Sequence, residues 1–166
     1  MNLETFQMIQ DVVEIDHQEQ KICCSAVVPL QSTIFDYHFP DFPILPGVIL
    51  TETVAQAAGY LSLLSSDFST MAFFFGIDKV KFREFVLPGD ELIIHCQRTH
   101  QGSGYSAYSG TIHTQSKLES QTKNKTKNKK CIEAQIRLKE MPFPNEKMKL
   151  SLKSHVHRCL NKENGH

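Results

Sequence analysis

Three prolines at three-residue intervals, Pro40, Pro43 and Pro46, followed by a long apolar run, constrain this chain more than any other feature. Each proline fixes φ and removes a backbone donor, and the period is that of polyproline II, so the stretch is expected to be stiff, extended and outside any sheet. Pro46 then opens a helix, because proline in a first helical turn loses no hydrogen bond. From there Val48, Ile49, Leu50, Val54, Ala55, Ala57, Ala58, Tyr60, Leu61, Leu63 and Leu64 fall at nearly every helical angle. A helix apolar all round is a buried one, so other elements must wrap it. It is predicted to end near Ser65-Ser66-Asp67. Glu52 interrupts it, with Gln56 one turn later on the same face, and an isolated carboxylate is rarely buried without a reason.

The wrapping comes from strands. Met8-Ile9 with Asp11 to Asp16, and Lys21 to Val28, read as the first two, joined by the polar turn around His17. Met71 to Arg83 is apolar and then alternating. Glu91 to His100 alternates Leu92, Ile94 and Cys96 against Ile93, His95 and Gln97. Tyr105 to Gln115 follows across Gly102-Ser103-Gly104. Cys131 to Lys139 points Ile132, Ala134, Ile136 and Leu138 inward. One long helix and about six antiparallel strands predict an α+β layout in which the sheet curls round the helix.

At 166 residues the chain is expected to be one domain with a sizeable core. Lys plus Arg equals Asp plus Glu, so no global field recruits nucleic acid. No long uncharged apolar run predicts a membrane span, and the first residues carry no export signal, so the cytoplasm is expected. Five cysteines without Cys-x-x-Cys spacing read as reduced thiols, Cys24 and Cys96 as core packing. Residues 116–130 are basic and low in complexity, which reads as a solvated loop or, less readily, a docking surface for an acidic partner. In 141–166, Met148, Leu152, Val156 and Leu160 at four-residue steps predict a short basic amphipathic helix docked on the rest of the chain. His155, His157 and Cys159 do not share a helix face, so no metal is expected there.

Taken singly, Glu52 could pair with a core cation and His38 could bond a backbone carbonyl. Their surroundings carry more. His38-Phe39-Pro40, Pro43, Pro46-Gly47-Val48, Glu52 and Ala55-Gln56, with fourteen residues from His38 to Glu52, resemble the signature of the FabZ-type (3R)-hydroxyacyl-acyl carrier protein dehydratases, a hot-dog-fold family. Phe75 to Arg83, Val86 to Leu92 and Val12 to Asp16 extend the likeness over roughly residues 6–140, read as one hot-dog domain within 1–140. Where that family usually carries Gly before the histidine, this chain has Tyr37. It also has nothing like the Leu-Pro-His-Arg-x-Pro segment that usually precedes the family's first strand, and the basic run stands where the family has a tight hairpin.

The resemblance implies a hot-dog fold and a dehydratase acting on acyl chains carried by acyl carrier protein. Such a reaction needs one base for the C2 proton and one acid for the leaving C3 hydroxyl. His38, with a reference pKa of about 6.5, suits the base, and Glu52 suits the acid if burial raises its pKa. The N–H groups of Gly47 and Val48, at a helix N-terminus, suit the developing enolate oxygen. Phe39, Gln56, Phe74, Phe75 and Gly76 are expected to meet the substrate, and Lys79, Lys81 and Arg83, alternating along one strand, to meet the acidic carrier. The resemblance further implies a cis His38–Phe39 peptide, a site shared between two subunits of a homodimer, three dimers in a hexamer, and no metal or organic cofactor. A hot-dog thioesterase and a non-catalytic acyl-binding protein are the alternatives.

Overall fold

A computed structural model describes residues 1–115 and 128–160. Their order is β1 (Asp11–Asp16), β2 (Lys21–Val27), α1 (Gly47–Ser65), β3 (Met71–Phe82), β4 (Glu91–Gly102), β5 (Tyr105–Gln115), β6 (Asn128–Met141) and α2 (Glu146–Leu160). All six strands form one antiparallel sheet in the order β1-β2-β4-β5-β6-β3. The sheet curls round α1, which is the hot-dog arrangement expected from the sequence.

Alternation decides which side of the sheet meets the helix. Ile22, Cys24 and Ala26 of β2, Leu92, Ile94 and Cys96 of β4, and Ile132, Ala134, Ile136 and Leu138 of β6 are all buried against Leu50, Val54, Ala57, Ala58 and Leu61 of α1. Each fully buried large aliphatic side chain contributes about 1.5–3 kcal/mol, so this layer supplies most of the favourable term in folding. The closest approach is at Gly110 of β5, where a Cβ would lie 2.4 Å from Val54 Cγ1. Only glycine lets α1 rest on the strand backbone there. By length and composition α1 could cross a membrane, but 67% of its apolar stretch is buried inside this fold.

Three local expectations change. The proline stretch is not extended: Phe39 and Phe42 exchange backbone hydrogen bonds of 3.3 and 3.1 Å across Pro40-Asp41, and Asp41 has φ 65°. Proline before a residue that tolerates positive φ makes a tight turn, which outweighs the three-residue period. Nor is α1 covered on every side. Val48 is 72% exposed, and Glu52, Gln56 and Gly59 are half-buried. These positions, at steps of four, four and three, form one stripe that the sheet does not reach. Finally, β6 begins at Asn128, pairing with Gln115, so the last three residues of the basic run belong to the sheet. Residues 116–127, which hold the rest of that run, lie outside the described residues.

The second helix closes the far end. Val156 and Cys159 are buried, Leu152 and Leu160 pack on the core, and Met148 stays 40% exposed. His155 Nε2 meets the Tyr60 hydroxyl at 2.8 Å, and the ring of His157 meets Phe68 edge to face at 5.6 Å.

Candidate active site

The N-terminus of α1 anchors the site. Pro46 supplies the carbonyl that the Ile49 and Leu50 amides bond, at 2.9 and 3.3 Å, and the N–H groups of Gly47 and Val48 have no partner among the described residues. Two donors at the positive end of a nineteen-residue helix form a ready-made place for negative charge. A side chain at Gly47 would meet the Phe82 ring at 2.8 Å, so glycine is what allows β3 to end against the helix start. One turn along the open stripe from Val48 stands Glu52, half-buried, its Oε1 accepting a 3.0 Å hydrogen bond from Gln56 Nε2.

His38 stands on the loop between β2 and α1. Its amide bonds the Ile34 carbonyl and its carbonyl accepts from Ile44 N, both at 3.0 Å, so the backbone is held on both sides. The His38–Phe39 peptide is cis, and the two rings stack with centroids 4.5 Å apart. Nδ1 lies 3.1 Å from the Ile44 carbonyl oxygen. A carbonyl only accepts, so Nδ1 carries the hydrogen, and in the neutral ring the lone pair is on Nε2. The imidazole is thereby set as a base whose working nitrogen is Nε2.

The other expected residues divide. Phe39 is 53% exposed beside His38. Phe74, Phe75 and Gly76 stand away from the end of β3 that meets α1: Gly76 is six steps along the strand from Phe82, roughly 20 Å. Phe75 instead meets Tyr105 edge to face at 6.2 Å. Within one chain they are therefore not brought to Gly47. Both amide donors of Gln56 are engaged, with Glu52 and with the Phe6 carbonyl. Lys79 and Lys81 are exposed, whereas Arg83 is joined to Glu133 through Nε at 2.8 Å and through its second nitrogen. That ion pair, with Lys81 and Lys130 nearby, holds the Glu133 carboxyl below the usual range.

Sequence reasoning missed three contributors. The Ile44 carbonyl that fixes the His38 tautomer, the Phe82 ring against Gly47 and the Phe6-to-Met8 backbone against Gln56 act through main chain or shape, and neither leaves a residue-type signature.

With this geometry, residues 14–122 match the family described as ApeI dehydratase, a span that contains every expected site residue. The chain belongs to the ApeI-like dehydratase family. Among curated proteins it is 41% identical over 88 residues to a 3-hydroxyacyl-(acyl-carrier-protein) dehydratase FabZ of Petrotoga mobilis. It is 37% identical over 95 residues to a FabZ of Psychrobacter arcticus. The aligned parts are 53 and 55% of this chain but 62 and 65% of those relatives, so the likeness spans less than two thirds of either. Among solved structures, the dehydratase heterocomplex ApeI:P of Xenorhabdus doucetiae aligns with TM-score 0.61 and 16% identity, over 89% of this chain and 90% of that one. A Streptococcus mutans protein bound to acetyl CoA aligns with TM-score 0.57 and 14% identity, over 81 and 90%. At such identities the two structures establish that the ApeI-like chain has their fold.

Proposed function

We propose that this chain dehydrates (3R)-3-hydroxyacyl thioesters carried on the phosphopantetheine arm of an acyl carrier protein, giving the trans-2-enoyl thioester and water. The observation that carries the reading is the pairing, on one hot-dog scaffold, of an imidazole locked with Nε2 free and a carboxyl one helical turn from two unpartnered amides. His38 Nε2 takes the C2 proton. The thioester oxygen, gaining charge as that proton leaves, sits against the N–H groups of Gly47 and Val48. Glu52, protonated, gives its proton to the C3 hydroxyl as the C–O bond breaks and the C2–C3 double bond forms. Water departs, and proton transfer from the imidazolium to the carboxylate restores the pair. No cofactor enters these steps.

We assign each pocket to two protomers, His38 from one and Glu52 from the other, in a homodimer that assembles further into a trimer of dimers. The open stripe of α1 supports this. So does β3, an edge strand of 12 residues whose Phe73, Phe74, Phe75, Ile77 and Phe82 are 38–55% exposed. A long apolar edge is a template for pairing with another chain, and Phe74, Phe75 and Gly76 then line the tunnel across the paired edges. Lys79 and Lys81 face the acidic carrier, Arg83 contributing less because Glu133 neutralises it. The five free thiols fit a cytoplasmic protein.

The test is turnover of 3-hydroxyacyl carrier-protein substrates of several chain lengths, read by mass as loss of water. Turnover is expected, with His38→Ala and Glu52→Gln each lowering kcat by about 10²–10⁴. Lys79→Glu with Lys81→Glu is expected to raise KM at low salt. No turnover with any chain length overturns the reading, and free thiol released from a saturated acyl thioester would make the protein a thioesterase.

A further inference from the structure

A series of hydrogen bonds runs from Glu4 to the imidazole of His38. Glu4 Oε1 accepts from the Ser32 hydroxyl at 2.8 Å. With its proton turned to Glu4, the Ser32 oxygen accepts from Ile34 N at 3.3 Å. The Ile34 carbonyl accepts from His38 N and the His38 carbonyl from Ile44 N, both at 3.0 Å, and the Ile44 carbonyl from Nδ1 at 3.1 Å. Thr33 adds its amide, at 3.1 Å from Oε1, and its hydroxyl, at 3.2 Å from Oε2. Hydrogen bonds that end on a charge are stronger than neutral ones, and bonds in series polarise one another.

The origin of the series is anchored. Asn2 and Gln7 exchange backbone hydrogen bonds of 2.7 and 2.9 Å, Thr5 N donates to Asn2 Oδ1 at 3.0 Å, and Leu3 and Met8, on either side of Glu4, are buried. From that closed turn Glu4 reaches across 28 residues of sequence to the start of the loop. The Ser32 hydroxyl, and after it the Thr33 amide, hold the Glu4 carboxyl below its usual pKa, so it is charged wherever a histidine base works. The loop depends on such ties. Tyr37 is 84% exposed and Phe39 53% exposed, so neither sequence neighbour of His38 is packed into the core, and hydrogen bonds hold what burial does not.

We propose that Glu4 is a positioning residue for His38: its carboxylate holds the turn at 32–34, the turn holds the His38 backbone, and the imidazole is thereby aimed. Glu4 itself meets no reacting atom. Neither Glu4 nor Ser32 stands in the signature that carries His38 and Glu52. The inference rests on the dehydratase reading, with His38 as the base.

Two readouts on the full chain separate the tie from the reaction. Hydrogen exchange read by mass follows the amides of residues 34–44 directly. Glu4→Ala is expected to speed exchange there about tenfold and to leave α1 unchanged. Equal exchange in variant and wild type overturns the proposal, whatever the activity. The second readout is turnover of a 3-hydroxyacyl carrier-protein substrate. Its absence in the wild type would overturn the dehydratase reading, with the tie still decided by exchange. Where the wild type turns over, Glu4→Ala and Ser32→Ala are each expected to lower kcat about 3–10-fold with KM within about twofold, as for a displaced base. Because both changes cut one route, the double variant is expected to lose no more than the worse single variant. A Glu4 that serves stability alone would lower Tm and leave kcat in place. A Glu4 that meets the carrier would raise KM with kcat unchanged, and losses that multiply in the double variant would mean separate routes. Each of these overturns the proposal. If Glu4→Ala does not fold, Ser32→Ala, one link further on, decides by the same two readouts.

Discussion

At the scale of single residues, Gly47 stands under two demands in the proposed mechanism: a Cβ there would lie 2.8 Å from the Phe82 ring, and its amide is to stay open toward the substrate. Gly47→Ala is therefore expected to displace the exposed Phe82 ring and crowd the approach to the two donors. Loss of about 10²-fold in kcat is expected, typical of removing a donor to the developing oxyanion. Gly47→Ala combined with Phe82→Ala relieves the contact and is expected to recover part of the loss. Unchanged kcat in the single variant would show that the Phe82 ring yields without disturbing the two amides. Glu52 stood out in the sequence as a carboxylate in an apolar helix, whereas His38 and Gly47 stood out through the resemblance of His38-Phe39-Pro40 and Pro46-Gly47-Val48 to a family signature. The contacts that orient them were not legible. Phe6 and Met8 reach Gln56 with backbone atoms from nearly fifty residues away, and any residue types there offer the same atoms.

Among the elements, period served well where the chain obeys one rule and failed where two compete. The inward positions of β4 and β6 and the extent of α1 followed from alternation and from an apolar run. The proline stretch obeyed turn chemistry instead, and the open stripe on α1 escaped notice because Val48 continues the apolar run while lying outside the sheet's reach. The second helix carries a measurable consequence. Burial first, and the Arg158 charge next, lower the pKa of His155 below 6.5, while its Nε2 bonds the Tyr60 hydroxyl. Burial, His95 and Lys130 do the same to His113. A base with a lowered folded pKa binds fewer protons folded than unfolded, so its stabilisation is full above 6.5 and is lost as pH falls below it. Glu4 and Glu133, lowered from 4.5, act only in more acidic solution. The thermal midpoint is thus expected to drop between about pH 7.5 and about pH 5.5, and His155→Gln to remove part of the drop. An identical pH dependence in that variant would mean that His155 titrates as it does in the unfolded chain.

For the whole molecule, the shared pocket makes an arithmetic prediction. In the proposed arrangement each chain's His38 meets its partner's Glu52, and a dimer of one His38→Ala chain and one Glu52→Gln chain then has one pocket with both changes and one with neither. Co-refolding equal amounts makes about half the dimers mixed, and about a quarter of wild-type activity is expected to return from two nearly inactive parents. Activity that stays at the parental level, with mixed dimers confirmed by mass, would place both residues in one chain. A partner of different mass would instead indicate a heterocomplex like that of Xenorhabdus doucetiae. The position of β3 in the sheet bears on how the protein is made. Among the described residues its one neighbour in the sheet is β6, and their pairing joins Met71 to Met141 and Phe82 to Ile132. On the ribosome, β3 emerges and then waits for the 50 to 70 residues that complete its ladder, roughly 3 to 14 s at ordinary rates of synthesis. Throughout that interval Phe73, Phe74 and Phe75 belong to a segment whose partner in the sheet has not yet been made, so the nascent chain exposes more apolar edge than the finished protein.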